Sequence, residues 1–572
     1  MKAFTEPLLS LAGFEEMTKT AEKSSGLISV TGCIDAQKSQ MIYAFGGHRK
    51  NKLIVTFGEQ KAKELYDEYS FFDKEVVYYP SKDVLFYQSD IRGNLLTAER
   101  IRALKAIREQ ESVTLVTTFD ALMNTMAPIE KMWENVLTLE QGQLLDLKEI
   151  QAALIRMGYE KEYQVQTMGQ FSVRGGILDV FPLTEENPIR IELWGDEIDT
   201  IRYFDCESQK SIENIEQVSI YPAAELVLSD EEKAGGIEKL KAEAKRVSDK
   251  LRKQMKTEEA HRVTVMADEL TEEWGELSMY AGMDAFLSYF FDERVGILDY
   301  FNPSDSLIFF DELTRCTEQG KLTETEFSES MKQRLAMGYI LPGQMNGLFT
   351  EKEIVAKLEK YSCIALGALD NKANGLHQLG SYGIHCQSVS PYNNSFELLI
   401  KDLKRYKKNG YRVILLSGSR TRAKRLSEDI TDQGITCFYT ENYDHELFEG
   451  QIMVCYGKVR RGFEYPILKF AVITESDIFG AQQKKKKRHR TYEGEKIQSF
   501  TDLSVGDYVV HENHGLGIYR GIEKLEVDKK VKDYIKIEYQ GGSNLYILAT
   551  QLDMIQKYAG KDARKPKLNK LG

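Results

Sequence analysis

A segment close to the N-terminus has the residue types of a phosphate-binding loop. Gly32 is followed five residues later by Gln37 and then by Lys38 and Ser39. This nearly matches the pattern G-x-x-x-x-G-K-[ST], in which backbone N–H groups surround the phosphates of a nucleotide and the lysine reaches them. Gln37 stands where the second glycine belongs, and a side chain there crowds the phosphate and resists the backbone angles of the loop. We therefore expect a loop that has lost nucleotide binding.

An apolar segment that ends in two carboxylates is the natural partner of such a loop. Residues 307–310 are Leu-Ile-Phe-Phe, and Asp311 and Glu312 follow them. Nucleoside triphosphatases hold Mg²⁺ with an Asp in this position and orient water with the Glu after it. Acidic residues at the end of a strand also cap the next helix. Next to a damaged loop, the pair indicates a vestige of a nucleotide site, and we predict no catalytic residue.

Two arginines and one tryptophan could form a protein-binding surface. Gly169–Pro182 and Ile189–Asp199 are predicted as strands with tight glycine turns, and Arg174, Arg190 and Trp194 could share one face of them. Planar, bidentate guanidinium groups and a flat aromatic ring are the chemistry that protein interfaces favour. The alternative is that Trp194 lies partly in the core and that the arginines are solvated or paired.

The remaining polar patterns predict no site of their own. His511 and His514 are three residues apart, but they fall in a predicted strand and turn without a third ligand, so we expect no metal. The seven cysteines are scattered and form no C-x-x-C pair, which excludes a disulfide framework and a zinc ribbon. The basic run at residues 484–490 is typical of a solvated linker, and a nucleic-acid contact is the alternative.

Composition limits the class of protein. The chain has 572 residues, with 76 Lys and Arg against 88 Asp and Glu, which is a net charge of −12. This charge argues against a protein that coats nucleic acid or an anionic membrane along its whole length. No stretch approaches the roughly 18 apolar residues of a transmembrane helix, and the N-terminus is not typical of a signal peptide. At roughly 100 to 200 residues per domain, we expect a cytoplasmic protein of several domains without a membrane partner.

The order of predicted strands and helices indicates an α/β multidomain fold. Strands alternate with helices near both ends of the first 480 residues, which predicts two sheets covered by helices. Strands with tight turns between them predict an inserted α+β domain, and short strands at the C-terminus predict a small β-barrel. The predicted divisions are 1–126 (a degenerate P-loop, helicase-like parallel sheet), 127–222 (the insertion), 223–347 (helices and a strand that rejoin the first sheet), 348–480 (a second α/β domain), 481–499 (a basic linker) and 500–572 (the barrel).

Periodicity and apolar runs assign two further segments. Leu240, Ala244 and Leu251 recur at helical spacing, so Glu231–Glu259 is predicted as one amphipathic helix. Ile364–Leu366 is a short apolar run, and we assign it as a strand of the 348–480 domain.

Together these motifs resemble those of the bacterial transcription-repair coupling factors, the Mfd family. Gly169–Pro182 with Ile189–Asp205 is similar to the second domain that this family shares with the excision-repair protein UvrB. Leu298–Phe301 followed by Ser306–Glu312 resembles the family's remnant of a Walker B strand. Val505–Gly517 is similar to the start of the family's RNA-polymerase interaction domain, a Tudor- or SH3-like barrel that also occurs in CarD transcription regulators.

The resemblance implies a role in transcription-coupled nucleotide excision repair. Full-length members bind RNA polymerase stalled at a DNA lesion, use ATP and Mg²⁺ to translocate on DNA, and recruit UvrA. No motor motifs occur in these residues, so we expect the N-terminal adaptor portion of such a protein, without the motor domains. For this portion itself we expect no cofactor and no catalysis, and a contact with DNA only through the full-length protein.

The resemblance also implies which residues of this sequence contact the two partners. By motif position the UvrA contact falls on Arg174, Arg190 and Trp194, with tryptophan where the family usually has phenylalanine. The β subunit of RNA polymerase is expected to pair with an exposed strand edge near Gly521–Val527, with Leu525 as the anchor, although Leu525 could equally be barrel core.

Two alternative functions remain open at this stage. A UvrB-like DNA-dependent ATPase or helicase would need Lys38, Ser39, Asp311 and Glu312 to bind Mg·ATP despite Gln37. A CarD-like transcription regulator would use the barrel alone and would have no affinity for UvrA.

Overall fold

The computed structural model describes residues 1–46, 49–82, 94–276, 283–370, 375–480, 494–496, 503–511, 515–527, 530–540, 543–548 and 555–558. Strands and helices alternate along the first 134 residues, as the apolar runs predict. In chain order the elements are α1 (Lys2–Leu9), α2 (Phe14–Lys23), β1 (Gly26–Thr31), α3 (Asp35–Gly46), β2 (Asn51–Thr56), α4 (Glu59–Tyr69), β3 (Val77–Tyr79), α5 (Asn94–Glu109), β4 (Thr114–Thr118), α6 (Phe119–Met123) and α7 (Ile129–Glu134).

A smaller unit follows α7. Its elements are β5 (Leu137–Glu140), α8 (Leu147–Arg156), β6 (Glu160–Lys161), β7 (Gln170–Arg174), β8 (Ile177–Val180), β9 (Ile189–Trp194), β10 (Glu197–Phe204), β11 (Ser211–Ile215) and β12 (Gln217–Ile220). Strands β6 to β11 form one sheet in chain order, antiparallel except between β6 and β7, and β5 pairs with β12. Alternate side chains such as Phe171, Leu178 and Ile191 enter a separate core, because successive strand residues face opposite sides.

The chain then returns to the first sheet. The elements are α9 (Asp230–Lys253), α10 (Thr257–Glu276), a 3₁₀ turn (Met283–Phe286), α11 (Leu287–Phe290), a 3₁₀ turn (Ile297–Tyr300), β13 (Ser306–Asp311), α12 (Leu313–Ala336), a 3₁₀ turn (Pro342–Asn346), α13 (Glu351–Leu358), β14 (Ser362–Leu366) and β15 (Gln378–Gly383). The first sheet has the order β15-β1-β14-β13-β2-β4-β3, and all its strands are parallel. All strands therefore end at one edge of the sheet.

The run Ile364–Leu366 belongs to this first sheet and not to the second α/β unit. As part of β14 it pairs with β1 on one side and with β13 on the other. A fully buried parallel strand carries no periodicity that indicates its neighbours, so the sequence predicted the strand but not its sheet.

The prediction of one helix over Glu231–Glu259 is wrong. Helix α9 ends before Gln254, and Met255 has a left-handed backbone with φ of 62°. Helix α10 then folds back, so that Leu240 and Ala244 of α9 share one buried cluster with Val263 of α10. No glycine or proline marks this turn in the sequence, and the turn is stabilised by the packing of the two apolar faces.

Buried polar contacts tie the inserted unit to the first one. Glu225, just after the inserted strands, lies 2.7 Å from Nε of Arg100 and 2.9 Å from Nζ of Lys82. Burial alone would raise the pKa of Glu225, but Arg100 and Lys82 outweigh it and lower the pKa to about 2. Nζ of Lys105 also lies 3.2 Å from Glu185 of the inserted unit. The insertion is therefore held by side chains as well as by its two chain connections.

The third unit is a mixed sheet. Its elements are β16 (Gln387–Ser388), α14 (Phe396–Lys408), β17 (Arg412–Ser417), α15 (Arg420–Asp432), β18 (Phe438–Tyr439), β19 (Ile452–Tyr456), β20 (Phe463–Tyr465), β21 (Phe470–Thr474) and α16 (Glu475–Phe479). The strand order is β16-β20-β21-β17-β19-β18, and β17, β18, β19 and β21 run parallel.

One hydrophobic cluster joins this sheet to the first one. It contains Ile28 of β1 together with Ile414 of β17 and Met453 of β19. The ring of Phe71 packs edge-on against Phe4 at 5.6 Å between centroids, and equally against Tyr443 of the third unit at 5.6 Å. The two units therefore share a core.

The C-terminal residues form an antiparallel half-barrel. Its strands are β22 (Gly494–Lys496), β23 (Tyr508–His511), β24 (Gly515–Val527), β25 (Lys530–Glu538), β26 (Asn544–Leu548) and β27 (Ile555–Tyr558), in the order β22-β27-β23-β24-β25-β26. Val509, Ile535 and Ile537 lie in its core. The basic run at 484–490 and His514 lie outside the described residues. Within the described part of the chain, no helix has the length and apolar character needed to cross a membrane.

Glu68 predicts a pH dependence of the contact between the first and third units. Burial raises its pKa to about 7, and nearby Lys61 and Arg460 offset this only in part. Because this exceeds the unfolded value of 4.5, the ionised carboxylate costs stability above about pH 7, and the cost disappears as the pH falls through the interval to about 4.5. We expect Glu68→Gln to raise the free energy of unfolding by about 1–3 kcal/mol at about pH 8 and to leave it unchanged at about pH 4.5.

The thermal midpoint at these two pH values measures the effect. The control is Glu75→Gln, which changes an exposed carboxylate of the same unit and should change the stability by less than about 0.5 kcal/mol. A Glu68→Gln protein that is less stable than the parent at both pH values would contradict the assignment.

Candidate functional site

The edge where β1 and β13 end brings together three of the residues predicted from the vestigial motifs. Lys38, in α3, is 1% exposed. Its Nζ lies 2.5 Å from Oδ1 of Asp311, 3.0 Å from Oε1 of Glu312 and 3.2 Å from Oδ1 of Asp35. Burial alone would lower the pKa of Lys38, but Asp311 and Glu312 outweigh it and raise the pKa above its usual value. The lysine is therefore a charged structural group at this edge.

The backbone N–H groups of the loop are also engaged. The N–H of Gly32 donates to the carbonyl of Ala368 at 3.2 Å, and that of Cys33 donates to the carbonyl of Gly367 at 3.0 Å. The carbonyl oxygen of Ile384 lies only 2.1 Å from the position of a Cβ on Gly32, so a neighbouring chain segment covers the loop. A phosphate would have to displace these carbonyls, and the residues present do not fit a nucleoside triphosphate.

Gln37 and Ser39 lie inside the protein. Gln37 is fully buried, Ser39 is almost so, and in the described part of the chain their side-chain polar atoms have no hydrogen-bond partner. Such groups cost stability, because they leave water without replacing its hydrogen bonds. Gln37 therefore carries a cost in stability at the position where a phosphate-binding loop has glycine.

The outer face of the inserted sheet carries the two predicted arginines on a shared carboxylate. Asp179 is almost completely buried, and its oxygens lie 2.7 Å from Nε and 2.9 Å from Nη2 of Arg190, and 2.9 Å from Nη2 of Arg174. The guanidinium of Arg190 also stacks over Phe204 at 4.3 Å. The side chain of Arg190 is 12% exposed and that of Arg174 is 37% exposed. Arg190 is thus held in place, and Arg174 keeps more of its surface for a partner.

The sequence analysis missed Asp179 as the residue that positions both arginines. The hydrogen bond to Asp179 is the main cause that raises the pKa of Arg190. The signal was present, because Asp179 stands between Leu178 and Val180, which both enter the core. A carboxylate at that place must face outward with the arginines, since strand side chains alternate.

Trp194 lies at the end of β9 on the same outer face. It is 84% exposed, so the alternative that it lies partly in the core is wrong. It follows Arg190 and Glu192 at every second position, while Ile189 and Ile191 enter the core. The ring also borders a groove of 620 Å³. An exposed tryptophan beside ordered arginines has the composition of a protein-binding surface.

The long strand β24 has an unpaired side along part of its length. Residues 515–518 pair with β23, whereas Ile522–Val527 are paired only with β25 among the described residues. Leu525 lies in this segment opposite Lys532, and its side chain is outside the described residues. Free backbone N–H and C=O groups at such an edge can accept another strand.

His511 is buried at the end of β23. Over the residues that the structure describes, no group of three or more His, Cys, Asp and Glu side chains could hold a metal ion.

Two family models match parts of the chain. The UvrB interaction domain matches residues 137–226, which are the inserted unit with its arginines and Trp194. The CarD-like/TRCF RID domain matches residues 503–559, which include the half-barrel strands β23 to β27.

Curated relatives match almost the whole chain. The transcription-repair-coupling factor of Bacillus subtilis is 31% identical over 522 residues, which cover 91% of this chain and 44% of the relative. Those of Staphylococcus haemolyticus and Staphylococcus aureus are 30% and 29% identical, and the matches cover 95% and 98% of this chain and 46% and 47% of the relatives. The chain thus spans about half the length of the curated relatives it matches.

Replacing Lys38 tests whether it has a structural role. We expect Lys38→Met to lower the free energy of unfolding by about 3–5 kcal/mol, because Asp311 stays buried without its counter-ion. The double variant Lys38→Met with Asp311→Asn should recover a large part of this loss, since it leaves no buried charge. Thermal unfolding measures both.

The control variant is Lys19→Met, which removes a lysine from an exposed pair with Glu15 and should cost at most about 1 kcal/mol. Mg·ATP should leave the thermal midpoint of the parent chain unchanged. A rise in the midpoint with Mg·ATP, or a Lys38→Met protein as stable as the parent, would contradict the structural role.

Proposed function

Because the chain is homologous over nearly its whole length to part of the transcription-repair-coupling factors, we propose that it is the adaptor portion of such a factor. It acts in transcription-coupled nucleotide excision repair, where it binds RNA polymerase stalled at a DNA lesion and recruits UvrA. In the full-length protein an ATP-dependent motor would supply translocation on DNA. This role belongs in the bacterial cytoplasm, where both partners meet DNA.

One observation carries the proposal for UvrA. Trp194 is exposed on the same sheet face as the Arg174–Asp179–Arg190 cluster, inside the residues matched by the UvrB interaction domain. Asp179 holds both guanidinium groups before any partner arrives, so little side-chain entropy is lost on binding. An aromatic ring and ordered arginines are the residues that dominate binding energy at interfaces. We therefore assign the UvrA contact to Arg174, Arg190 and Trp194.

The half-barrel supplies the second contact. We assign the contact with the β subunit of RNA polymerase to the unpaired side of Ile522–Val527, with Leu525 as the anchor. Strand addition at an edge draws its affinity from backbone hydrogen bonds, and single side chains add specificity. The match of residues 503–559 to a CarD-like/TRCF RID domain supports this assignment. It also supports a Tudor-like barrel as the fold of these residues.

The two alternative functions are less well supported. A UvrB-like ATPase would need a loop that accepts phosphate, whereas Gly32, Cys33 and Lys38 already donate to protein oxygens. We propose that the first sheet descends from a nucleotide-binding, helicase-like domain and that this chain needs no ATP or Mg²⁺ of its own. A CarD-like regulator would use the half-barrel alone, so it would not explain the inserted unit and its exposed Trp194.

Substitutions on the inserted sheet should abolish UvrA binding selectively. We expect Trp194→Ala to weaken capture of UvrA at least about ten-fold, and Arg174→Ala with Arg190→Ala to abolish it. Binding to RNA polymerase should be unchanged in a pull-down with both partners. Trp194→Phe should keep most of the affinity, because it retains a flat apolar ring.

The matched control is Tyr163→Ala, because Tyr163 is also 84% exposed and lies on the same unit. If the double arginine variant binds neither UvrA nor RNA polymerase, it has misfolded. The Trp194→Ala variant then tests the assigned surface by itself. Normal UvrA capture by Trp194→Ala would contradict the assigned surface.

A substitution in the half-barrel should have the opposite selectivity. We expect Leu525→Ala to weaken binding to the RNA polymerase β subunit at least about ten-fold, because an anchoring side chain is removed from the edge strand. Capture of UvrA should stay at the parent level, and surface plasmon resonance with each partner measures both. Unchanged polymerase binding by a folded Leu525→Ala protein would remove Leu525 as the anchor.

A further inference from the structure

The third unit carries a group of cations that neither proposed docking surface uses. Parallel strands β17, β19 and β21 all end at one edge of its sheet, and open α/β sheets bind ligands at such an edge. Among the segments that leave the sheet there, α15 after β17 and the loop 457–462 after β19 carry cations, and α16 follows β21. The exposed cations of α15 and the loop are Arg420, Arg422, Lys424, Arg425, Lys458, Arg460 and Arg461. We call them the edge cations.

Two of the edge cations lie where the helix does not favour them. Arg420 and Arg422 occupy the first turn of α15, which has no acidic residue, and Lys424 and Arg425 follow in the second turn. The N-terminus of a helix carries a partial positive charge, so cations there cost stability. The same end of α14 follows the usual rule, with Ser395 as its cap and Glu397 in its first turn. The local preference is thus overridden at the edge, which is the pattern expected where binding is selected at the expense of stability.

The edge already binds an anionic group of the protein itself. Oε2 of Glu475 accepts hydrogen bonds from the N–H of Gly418 at 2.7 Å and from the hydroxyl of Ser417 at 2.9 Å. Arg422 donates to the other oxygen of this carboxylate. A backbone N–H, a hydroxyl and a guanidinium on one anion are the donors that proteins commonly use for a phosphate.

The other ion pairs at the edge are exposed and therefore weak. Arg420 lies 3.3 Å from Glu441, and Arg460 lies 2.6 Å from Glu64. Exposed pairs contribute about 0–1 kcal/mol, so both arginines can exchange a carboxylate for another anion at little cost. The hydroxyl of Ser476 holds the carbonyl of Arg460 at 2.5 Å, which keeps the loop 457–462 beside the start of α16 and Glu475.

Aromatic rings lie beneath two of the edge cations. The guanidinium of Arg420 lies 5.5 Å from the ring centre of Tyr456, and Nζ of Lys424 lies 5.5 Å from that of Tyr439. Both rings are half-buried. Cations interleaved with aromatic rings along an open surface are typical of proteins that follow the backbone of a nucleic acid.

We propose that the edge cations bind the phosphodiester backbone of a nucleic acid. The array extends over two segments, so it fits a chain of phosphates better than one isolated anion. Glu475 occupies the position of one phosphate in the absence of the ligand. The net charge of −12 over the chain makes this a local attraction on an acidic protein.

Charge removal on the loop tests the proposal. The variant is Lys458→Gln with Arg461→Gln, and its matched control is Lys250→Gln with Arg252→Gln, two exposed cations on α9. Fluorescence anisotropy of a labelled single-stranded oligonucleotide and of its duplex is measured against salt. For the duplex, we expect the loop variant to lower the slope of log affinity against log salt by about 2 and the control to leave it unchanged. Residues 484–490 are the same in all variants, so the difference reports on the edge.

Glu475 gives an independent test in the opposite direction. We expect Glu475→Gln to raise the affinity for the oligonucleotide about three-fold at low salt, because the competing charge is removed while the side chain keeps its shape. The thermal midpoint confirms that each variant is folded.

Several results would overturn the proposal. These are a parent chain that binds neither oligonucleotide, a loop variant with the parent's salt dependence, and a folded Glu475→Gln protein with unchanged or lower affinity. Equal competition against the labelled oligonucleotide by polyglutamate of the same charge and by unlabelled oligonucleotide would also overturn the proposal. The surface would then bind acidic proteins as well as it binds nucleic acid.

Discussion

The buried charge of Lys38 is the constraint on which the use of the first sheet depends. An ammonium group out of water must be matched by carboxylates, and Asp311 and Glu312 provide this at the edge where β1 and β13 end. Removal of Asp311 would leave the buried ammonium group with only the partly exposed Glu312 and Asp35 as counter-charges. The carbonyls of Gly367 and Ala368 take up the loop N–H groups in the same region. The edge at which related folds carry out chemistry is thus closed in the first sheet by its own residues.

The sequence predicted the elements better than their partners in space. Continuous apolar runs identified β1, β2, β4 and β13, because strands buried on both faces are apolar throughout. Arg190 and Trp194 lie on one face of β9 because strand side chains alternate, and Arg174 joins that face from β7. The pairing of β14 between β1 and β13 could not be predicted, since it joins residues more than 50 positions apart that carry no complementary pattern. The polar edge strand β15 has no such run at all.

The same limit applies to the candidate sites. The position of Gln37 in the loop pattern is the basis for predicting a loop without nucleotide binding, because one side chain conflicts with the geometry of the loop, and the structure adds that Lys38 is paired with Asp311 and Glu312. The role of Asp179 required the structure, since an acid in a strand has no partner until the strands are in register. The turn at Met255 between α9 and α10 was missed for a related reason, because tertiary packing stabilises a left-handed residue that local preference disfavours.

The way in which the inserted sheet is attached has a mechanical consequence. Its two chain connections lead to helices α7 and α9, and the buried Arg100–Glu225 pair and the Lys105–Glu185 pair link it to α5. A force applied at Trp194 is therefore divided between two covalent connections and two ion pairs.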